Sequence, residues 1–513
     1  MTTTKESIPP VNEIENRHFT TDHLKADIAG RTARGGLATI VSQGVKFIIS
    51  TAATVVLARL LTPQDYGLIG MMAVIVNFVA MFKDLGLATA TIQKEQIDDK
   101  QISTLFWFNL VLSFGVFLFT AAIAPAVSWF YGEARLTSIT IVYGIGFVFG
   151  GLAVQHEALL RRQMRFLPLA IVEVTSLAVG IVVAVALALR GARYWALIFS
   201  QLSQALSYTI GVWIGCRWRP GLPVRYSGVR SMLVFGRNLT GFSVINYFSR
   251  NLDNLLIGKV WGTQQLGLYA KAYQLLLLPI DQINTPIAAV AIPALSRLND
   301  NPERYRQAYL RILEKIAIIT MPGTALMIAT SDWIVQIVLG QKWQPAARIF
   351  ALLGIAGLIQ PIANTTGWLF MTQSRTHHMV QWGFIGATII IISIVAGLPW
   401  GAVGVATSYA ITFDVLVVPA LFWFVGRAGP VRARDFYLTI IPFAAAAGSS
   451  MLVLFLFRRS VNVANPLIGV SLGLLITGFV SLLVLVVLPR GRNALRDLGQ
   501  TASLILHKKQ VSF

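Results

Sequence analysis

An all-α integral membrane fold, with about fourteen transmembrane helices in two pseudo-symmetric six-helix halves plus a final helix pair, is what this sequence predicts. Three observations predict it. Of 513 residues, 55% are hydrophobic and only 12% charged, too apolar for a chain that must present a wettable surface. The apolar residues come in stretches of about 20, the length that crosses a hydrocarbon core at ~1.5 Å rise per residue. A segment near the end of the first apolar stretch recurs 200 residues further on.

In chain order the predicted spans lie near 36–60, 66–88, 103–130, 137–160, 168–190, 194–215, 233–258, 267–295, 310–336, 346–372, 378–398, 402–426, 435–457 and 464–488. Each is bounded by charge, Pro or Gly. The organisation that follows is an N-terminal tail over 1–34, a six-helix bundle over 35–216, a linker over 217–232, a second bundle over 233–426, two additional helices over 435–488 and a basic tail over 489–513. The tail holds Leu495, Leu498, Leu504, Ile505 and Leu506 among Arg492, Arg496, Lys508 and Lys509, the pattern of an interfacial amphipathic helix. The first 34 residues contain no apolar run of signal-peptide length, so the first hydrophobic segment is expected to remain a span.

The net charge of +20 sets topology instead of implying nucleic acid, because the basic residues sit in short connections between spans. With both termini cytoplasmic, about 27 Lys and Arg fall inside and about nine outside, as the positive-inside rule requires. The inside set includes Arg161, Arg162 and Arg165, the runs 217–230 and 297–311, and Arg427, Arg432 and Arg434. The outer connections, such as Thr62-Pro63-Gln64-Asp65 and Leu398-Pro399-Trp400-Gly401, are too short to hold an active site. Cys216, the single cysteine, forms no disulfide within the chain and reads as a helix-end residue. His156, His377 and His378 have no metal-ligand spacing and are read as surface residues, so no metal site is expected. No GxxxxGK[ST], HExxH or GxSxG motif occurs, so neither ATP hydrolysis nor other enzyme chemistry is expected.

The recurring segment is LARLLTPQDYGLIG at Leu57–Gly70 against IGKVWGTQQLGLYA at Ile257–Ala270, matching Arg59 with Lys259, Gln64 with Gln264, Gly67 with Gly267 and Leu68 with Leu268. A later pair, Gly191–Leu197 and Pro399–Val405, echoes at a slightly larger offset. Both copies begin after an even number of spans, so the repeat is parallel, with its axis expected along the membrane normal. Within the hairpin, Thr62 suits the N-cap of the second span, Pro63 its first position and Asp65 its positive dipole end.

Polar residues inside spans cost several kcal/mol unless they face water or a partner, which makes each a candidate. Thr39, Gln43, Lys46, Ser50 and Thr54 lie on one helical face; Asn246, Arg250, Asp253 and Asn254 do the same at the repeat offset. Lys271, Gln274 and Asp281 add a third polar stripe, and Asn77 and Asp84 a fourth. The expected substrate-binding cavity comprises Lys46, Arg250, Lys271, Asn246, Asn254 and Gln43, and its fixed cations suit an anion such as a phosphate group. The competing assignment is mutual neutralisation of paired charges, for example Arg250 with Asp253. Glu173, Asp414, Asp253 and Asp281 are the candidates for a coupling proton or sodium ion.

The stretch ARLLTPQDYGLIGMMAVIVNFVAMFKDLGLATATIQK, residues 58–94, resembles the opening hairpin of Wzx-type polysaccharide flippases, of the multidrug/oligosaccharidyl-lipid/polysaccharide exporter superfamily. The resemblance extends over most of the chain. It implies flipping of an undecaprenyl-pyrophosphate-linked oligosaccharide across the bacterial inner membrane for exopolysaccharide, capsule or O-antigen assembly. The sugar and pyrophosphate would use the cavity while the polyprenyl chain stays in lipid. It implies no cofactor beyond a proton or sodium gradient, and as partners membrane lipids and possible contacts with a polysaccharide polymerase and chain-length regulator, but no nucleic acid. A cation-coupled multidrug exporter would favour acidic cavity residues over this basic stripe. A membrane glycan polymerase needs a sizeable outer loop, which this sequence lacks.

Overall fold

The computed structural model describes residues 28–81, 87–94, 97–224 and 230–508. Among them every regular element is helical. In chain order these are α1 Ile28–Leu60, α2 Pro63–Ala80, α3 Leu87–Gln93, α4 Asp99–Tyr131, α5 Arg135–Arg162, α6 Phe166–Leu189, α7 Tyr194–Cys216, α8 Arg230–Ser296, α9 Pro302–Ala329, α10 Ser331–Val338, α11 Ala346–Thr372, α12 Thr376–Gly397, α13 Gly401–Thr412, α14 Val418–Gly426, α15 Ala433–Ser460, α16 Pro466–Val487 and α17 Pro489–Lys508. A π-helical turn, Phe413–Val417, joins α13 to α14.

Nine of these helical runs, among the described residues, are long and apolar enough to cross a membrane, or ten when the bent pair Asn251–Ile280 and Gln282–Ser296 counts as one span. The tally is below the fourteen predicted partly because Thr376–Gly426 passes as one run although it contains α12, α13 and α14. In addition α2 and α7 are diluted by Gln64, Asp65 and Asn77 and by Gln201, Gln204 and several hydroxyl residues. The 44° bend within α8 falls where Pro286 removes the N–H that residue 282 would receive.

The chain divides into two compact units, Met1–Asn251 and Leu252–Phe513. In the first, the break between α1 and α2 is fixed by sequence. The Thr62 side chain accepts from the Asp65 N–H at 3.3 Å while the Thr62 N–H donates to Asp65 Oδ2 at 3.0 Å, a reciprocal cap with Pro63 at the first helical position. Arg193, on the short link before α7, stands 3.5 Å from the same buried carboxylate. The apolar heart of this unit is Phe106, Leu105, Leu160, Leu169 and Val212 around Trp218.

His156 belongs to that heart and not to the surface where the sequence reading placed it. Its ring is fully buried, stacked 4.3 Å from Trp213, with Nε2 3.3 Å from the Trp218 carbonyl. The segment after α7 folds back over α4 and closes the site: Trp218 Nε1 donates to Asp99 at 2.8 Å and Trp107 Nε1 donates to the Gly221 carbonyl at 2.8 Å. Burial by a segment some 60 residues away in sequence leaves no local pattern to read.

In the second unit the packed centre runs through Tyr309, Trp368, Phe422, Phe436 and Phe443, with Phe422 and Phe436 stacked at 4.3 Å. The last helix pair docks through small residues. Gly469, Gly473, Thr477 and Ser481 of α16 recur every fourth position and are buried, while Leu474, Leu475 and Phe479 face outward. Ser481 Oγ lies 2.8 Å from Ser450 Oγ of α15. A Cβ built on Gly469 would sit 2.6 Å from the Trp333 ring. Gly469→Val is therefore expected to cost about 1–3 kcal/mol of stability through overpacking, read as a lower thermal midpoint of the purified protein, whereas Leu475→Val on the outward face should leave the midpoint within error.

The internal repeat has a geometric counterpart. Gly262, at φ 76°, interrupts α8 where Thr62 separates α1 from α2 in the first copy. The α5–α6 and α11–α12 turns are also equivalent: Gln163-Met164-Arg165 and Gln373-Ser374-Arg375 each carry a left-handed central residue, at φ 53° and 56°, and each Arg N–H closes on the carbonyl five residues back.

Candidate functional site

In the first unit, four helices bring a chain of alternating charges together. Lys46 of α1 donates from Nζ to Glu173 Oε2 of α6 at 2.5 Å. The other Glu173 oxygen stands 3.7 Å from Arg161 Nη2 of α5, and Arg161 Nε donates to Glu157 at 2.8 Å. Tyr208 of α7 hydrogen-bonds Glu157 and ends the chain. Lys46 and Glu173 retain 23% and 22% side-chain exposure, so the pair is reachable and not sealed into the packing. The remaining polar residues of the Lys46 face behave differently. Thr39 and Thr54 return their hydroxyls to the carbonyls of Gly35 and Ser50, four residues back, and Gln43 is exposed.

Two predicted roles thus meet in one contact, since Lys46 was a candidate for the substrate and Glu173 for the coupling ion. Arg161, Glu157 and Tyr208 were missed. Arg161 reads as a topology-setting charge at a span end, although its i, i+4 spacing from Glu157 is the signal of a pair on one helical face.

In the second unit, Asp253 accepts from the Tyr269 hydroxyl at 2.9 Å and from the Asn254 N–H at 2.8 Å. Lys271 donates to Gln274 at 2.9 Å. Asn254, Tyr273, Gln274 and Gln282 line an open crevice of about 360 Å³ floored by Leu277 and Leu278. Tyr273 hydrogen-bonds Tyr409, whose ring stacks on Phe413 at 5.7 Å, one residue before Asp414. Asp414 occupies the π-helical turn, and its Oδ1 is buried with no hydrogen-bond partner among the described residues; the Oδ1 of Asn254 is in the same condition. The side chains of Asn246, Arg250 and Asp281 lie outside the described residues, as does Asp84. No group of three His, Cys, Asp or Glu is placed to hold a metal ion among the described residues.

Chemically, the first unit offers a primary ammonium held by a single carboxylate, which a more highly charged anion can displace. The second offers amide, tyrosine and carboxylate oxygens, a ligand set for a proton or an alkali cation, together with the Lys271 ammonium.

A family model described as "Polysaccharide biosynthesis protein" matches residues 56–348, more than half of the chain. The chain is 25% identical over 415 residues to "Lipopolysaccharide biosynthesis protein WzxC" of Escherichia coli (strain K12), covering 79% of this chain and 83% of that protein. It is 23% identical over 467 residues to "Succinoglycan biosynthesis transport protein ExoT" of Rhizobium meliloti (strain 1021), covering 89% and 91%. Among solved structures it is similar to the lipid II flippase MurJ in an inward closed conformation, with a TM-score of 0.68 at 13% identity, over 89% of this chain and 98% of that one. That likeness shows the fold alone, an all-helical one.

Proposed function

The chain belongs to the polysaccharide biosynthesis protein family, and from that membership we propose that it flips polyprenyl-pyrophosphate-linked oligosaccharide repeat units across the bacterial inner membrane. The observation that carries this reading is the agreement between relatives named for lipopolysaccharide and succinoglycan assembly, one of them a transport protein, and a fold shared with a lipid flippase. The activity is transport, with no catalytic residue, and both termini are assigned to the cytoplasm by the distribution of Lys and Arg.

Lys46 is the residue assigned to the pyrophosphate. At rest its charge is neutralised by Glu173, as an apolar setting demands. A pyrophosphate brings more negative charge than the one carboxylate it replaces, and Arg161 stands ready to take up the released Glu173. The ammonium therefore passes from an internal partner to the substrate and back without being left unpaired. Arg250 of the first unit and Lys271 of the second are each assigned to anion binding, and Gln43, Asn246 and Asn254 to the sugar hydroxyls. Asp253, Asp281 and Asp414 are assigned the coupling proton or sodium ion, and the polyprenyl chain is assigned to the surrounding lipid.

The test is complementation of a strain lacking its polysaccharide flippase. Expression of the chain is expected to restore surface polysaccharide and to clear lipid-linked oligosaccharide from the inner leaflet. Absence of both effects, with the protein present in the membrane, would remove the reading.

A further inference from the structure

The end of the second unit where α9, the 427–432 connection, α15 and α17 meet holds a group of arginines that the transport reading leaves unused. Two adjoining crevices, of about 460 and 210 Å³, share Arg306, Asp435 and Leu438. The larger is completed by Glu303, Pro430, Arg432 and Arg434. The smaller reaches Arg490 of α17.

The negative charge of the larger crevice is already committed. Arg306 binds Asp435 in a bidentate pair, Nη2 to Oδ1 at 2.6 Å and Nε to Oδ2 at 2.9 Å, and holds Glu303 at 3.4 Å through Nη1. Asp435 is 7% exposed and also accepts the Arg432 N–H at 2.8 Å, which fixes the backbone from which Arg432 and Arg434 project. Both of those side chains are exposed, and the Arg434 guanidinium engages no group among the described residues. Three guanidinium groups thus share two carboxylates, both hydrogen-bonded to Arg306, with Asp435 also attracting Arg432 and the Arg434 charge left over. A diester phosphate supplies the missing anion and accepts bidentate hydrogen bonds.

What identifies the anion as a lipid is the helix below it. From Arg434 an outward stripe descends α15 at helical spacing through Tyr437, Ile441 and Ala445, with Tyr437 and Ile441 exposed by 42% and 57%. Charge at the head and about one leaflet's depth of apolar face beneath it form the outline of a phospholipid. Beside the crevice runs α17, whose Arg490 donates to the Leu438 carbonyl at 2.6 Å and whose Arg492 and Arg496 are exposed, the composition of a helix lying in an anionic interface.

We propose that this crevice binds the phosphate of an anionic bilayer phospholipid, with its acyl chains along α15, as a site separate from the transport path. The experiment is native mass spectrometry of the full-length, delipidated protein titrated with phosphatidylglycerol or phosphatidylethanolamine. Wild type is expected to prefer phosphatidylglycerol at least fivefold. Arg432→Gln/Arg434→Gln is expected to abolish that preference, Arg432→Lys/Arg434→Lys to keep part of it, and Ile441→Gln to weaken the long-chain lipid but not its dihexanoyl analogue. Free glycerophosphoglycerol at equal concentration is expected not to displace the lipid. Equal binding of the two lipids by wild type, or an unchanged preference in the Gln double variant, overturns the proposal. Full displacement by the free headgroup also overturns it, leaving a site for a soluble phosphate ester.

Discussion

Glu173→Gln is expected to lower the stability of the detergent-purified protein by about 2 kcal/mol by stranding the Lys46 ammonium, Lys46→Met by less because Arg161 still stands 3.7 Å from Glu173, while the double variant recovers most of the Glu173→Gln loss. Removing one partner of a buried ion pair costs about 3–5 kcal/mol because the other charge is stranded. An unpaired charge at mid-span costs about 2.5–3.5 kcal/mol on insertion scales. These side chains keep about a fifth of their exposure, which places the effect at the lower end. Transport is expected to behave differently from stability. In the double variant, substrate flipping should fall at least tenfold although the fold is intact, because the cation assigned to the pyrophosphate is gone. A double variant with wild-type transport would assign the pair to structure alone. A double variant no more stable than Glu173→Gln would show that Lys46 and Glu173 are not energetically coupled, and the exchange of partners would lose its basis.

That cycle also separates what the sequence could show from what it could not. Polar residues stand out against apolar spans, so Lys46, Glu173, Asp253 and Asp414 are visible without a structure, and helical spacing assigns each to a face. Partners are not visible in the same way. Lys46 and Glu173 are 127 residues apart and Trp218 closes over His156 from 62 away, and neither closure leaves a periodic trace. Arg161 was obscured by its own location: a basic residue at a span end satisfies the positive-inside rule whether or not it also holds a carboxylate. The breaks were more legible, since Thr62-Pro63 and the glycine at 262 are local chemistry, and the repeat tied one to the other. The π-helical turn at 413–417 was not, because Phe-Asp-Val-Leu-Val reads as ordinary helix and only tertiary packing selects the wider turn.

That turn is the ground for the second large effect. Asp414→Asn is expected to abolish the stimulation of transport by an imposed proton or sodium gradient while leaving the protein at least as stable as wild type. The turn widens the backbone at Phe413–Val417 and holds a carboxylate whose Oδ1 is buried without a hydrogen-bond partner among the described residues. An anion in an apolar helix calls for a counter-charge, and a proton or an alkali cation supplies it. Asparagine matches the carboxylate in shape and carries no charge, so the substitution removes the demand for that ion and relieves a desolvation cost at the same time. The measurement is flipping of a lipid-linked oligosaccharide in proteoliposomes, with and without each gradient. Wild type should respond to one of the two gradients, and the Asn variant should proceed at the ungradiented rate under both. A variant that keeps the full response excludes Asp414 as the coupling site. The assignment would then pass to Asp253, whose two oxygens are already engaged by Tyr269 and the Asn254 N–H and which would have to give up one of them to hold an ion.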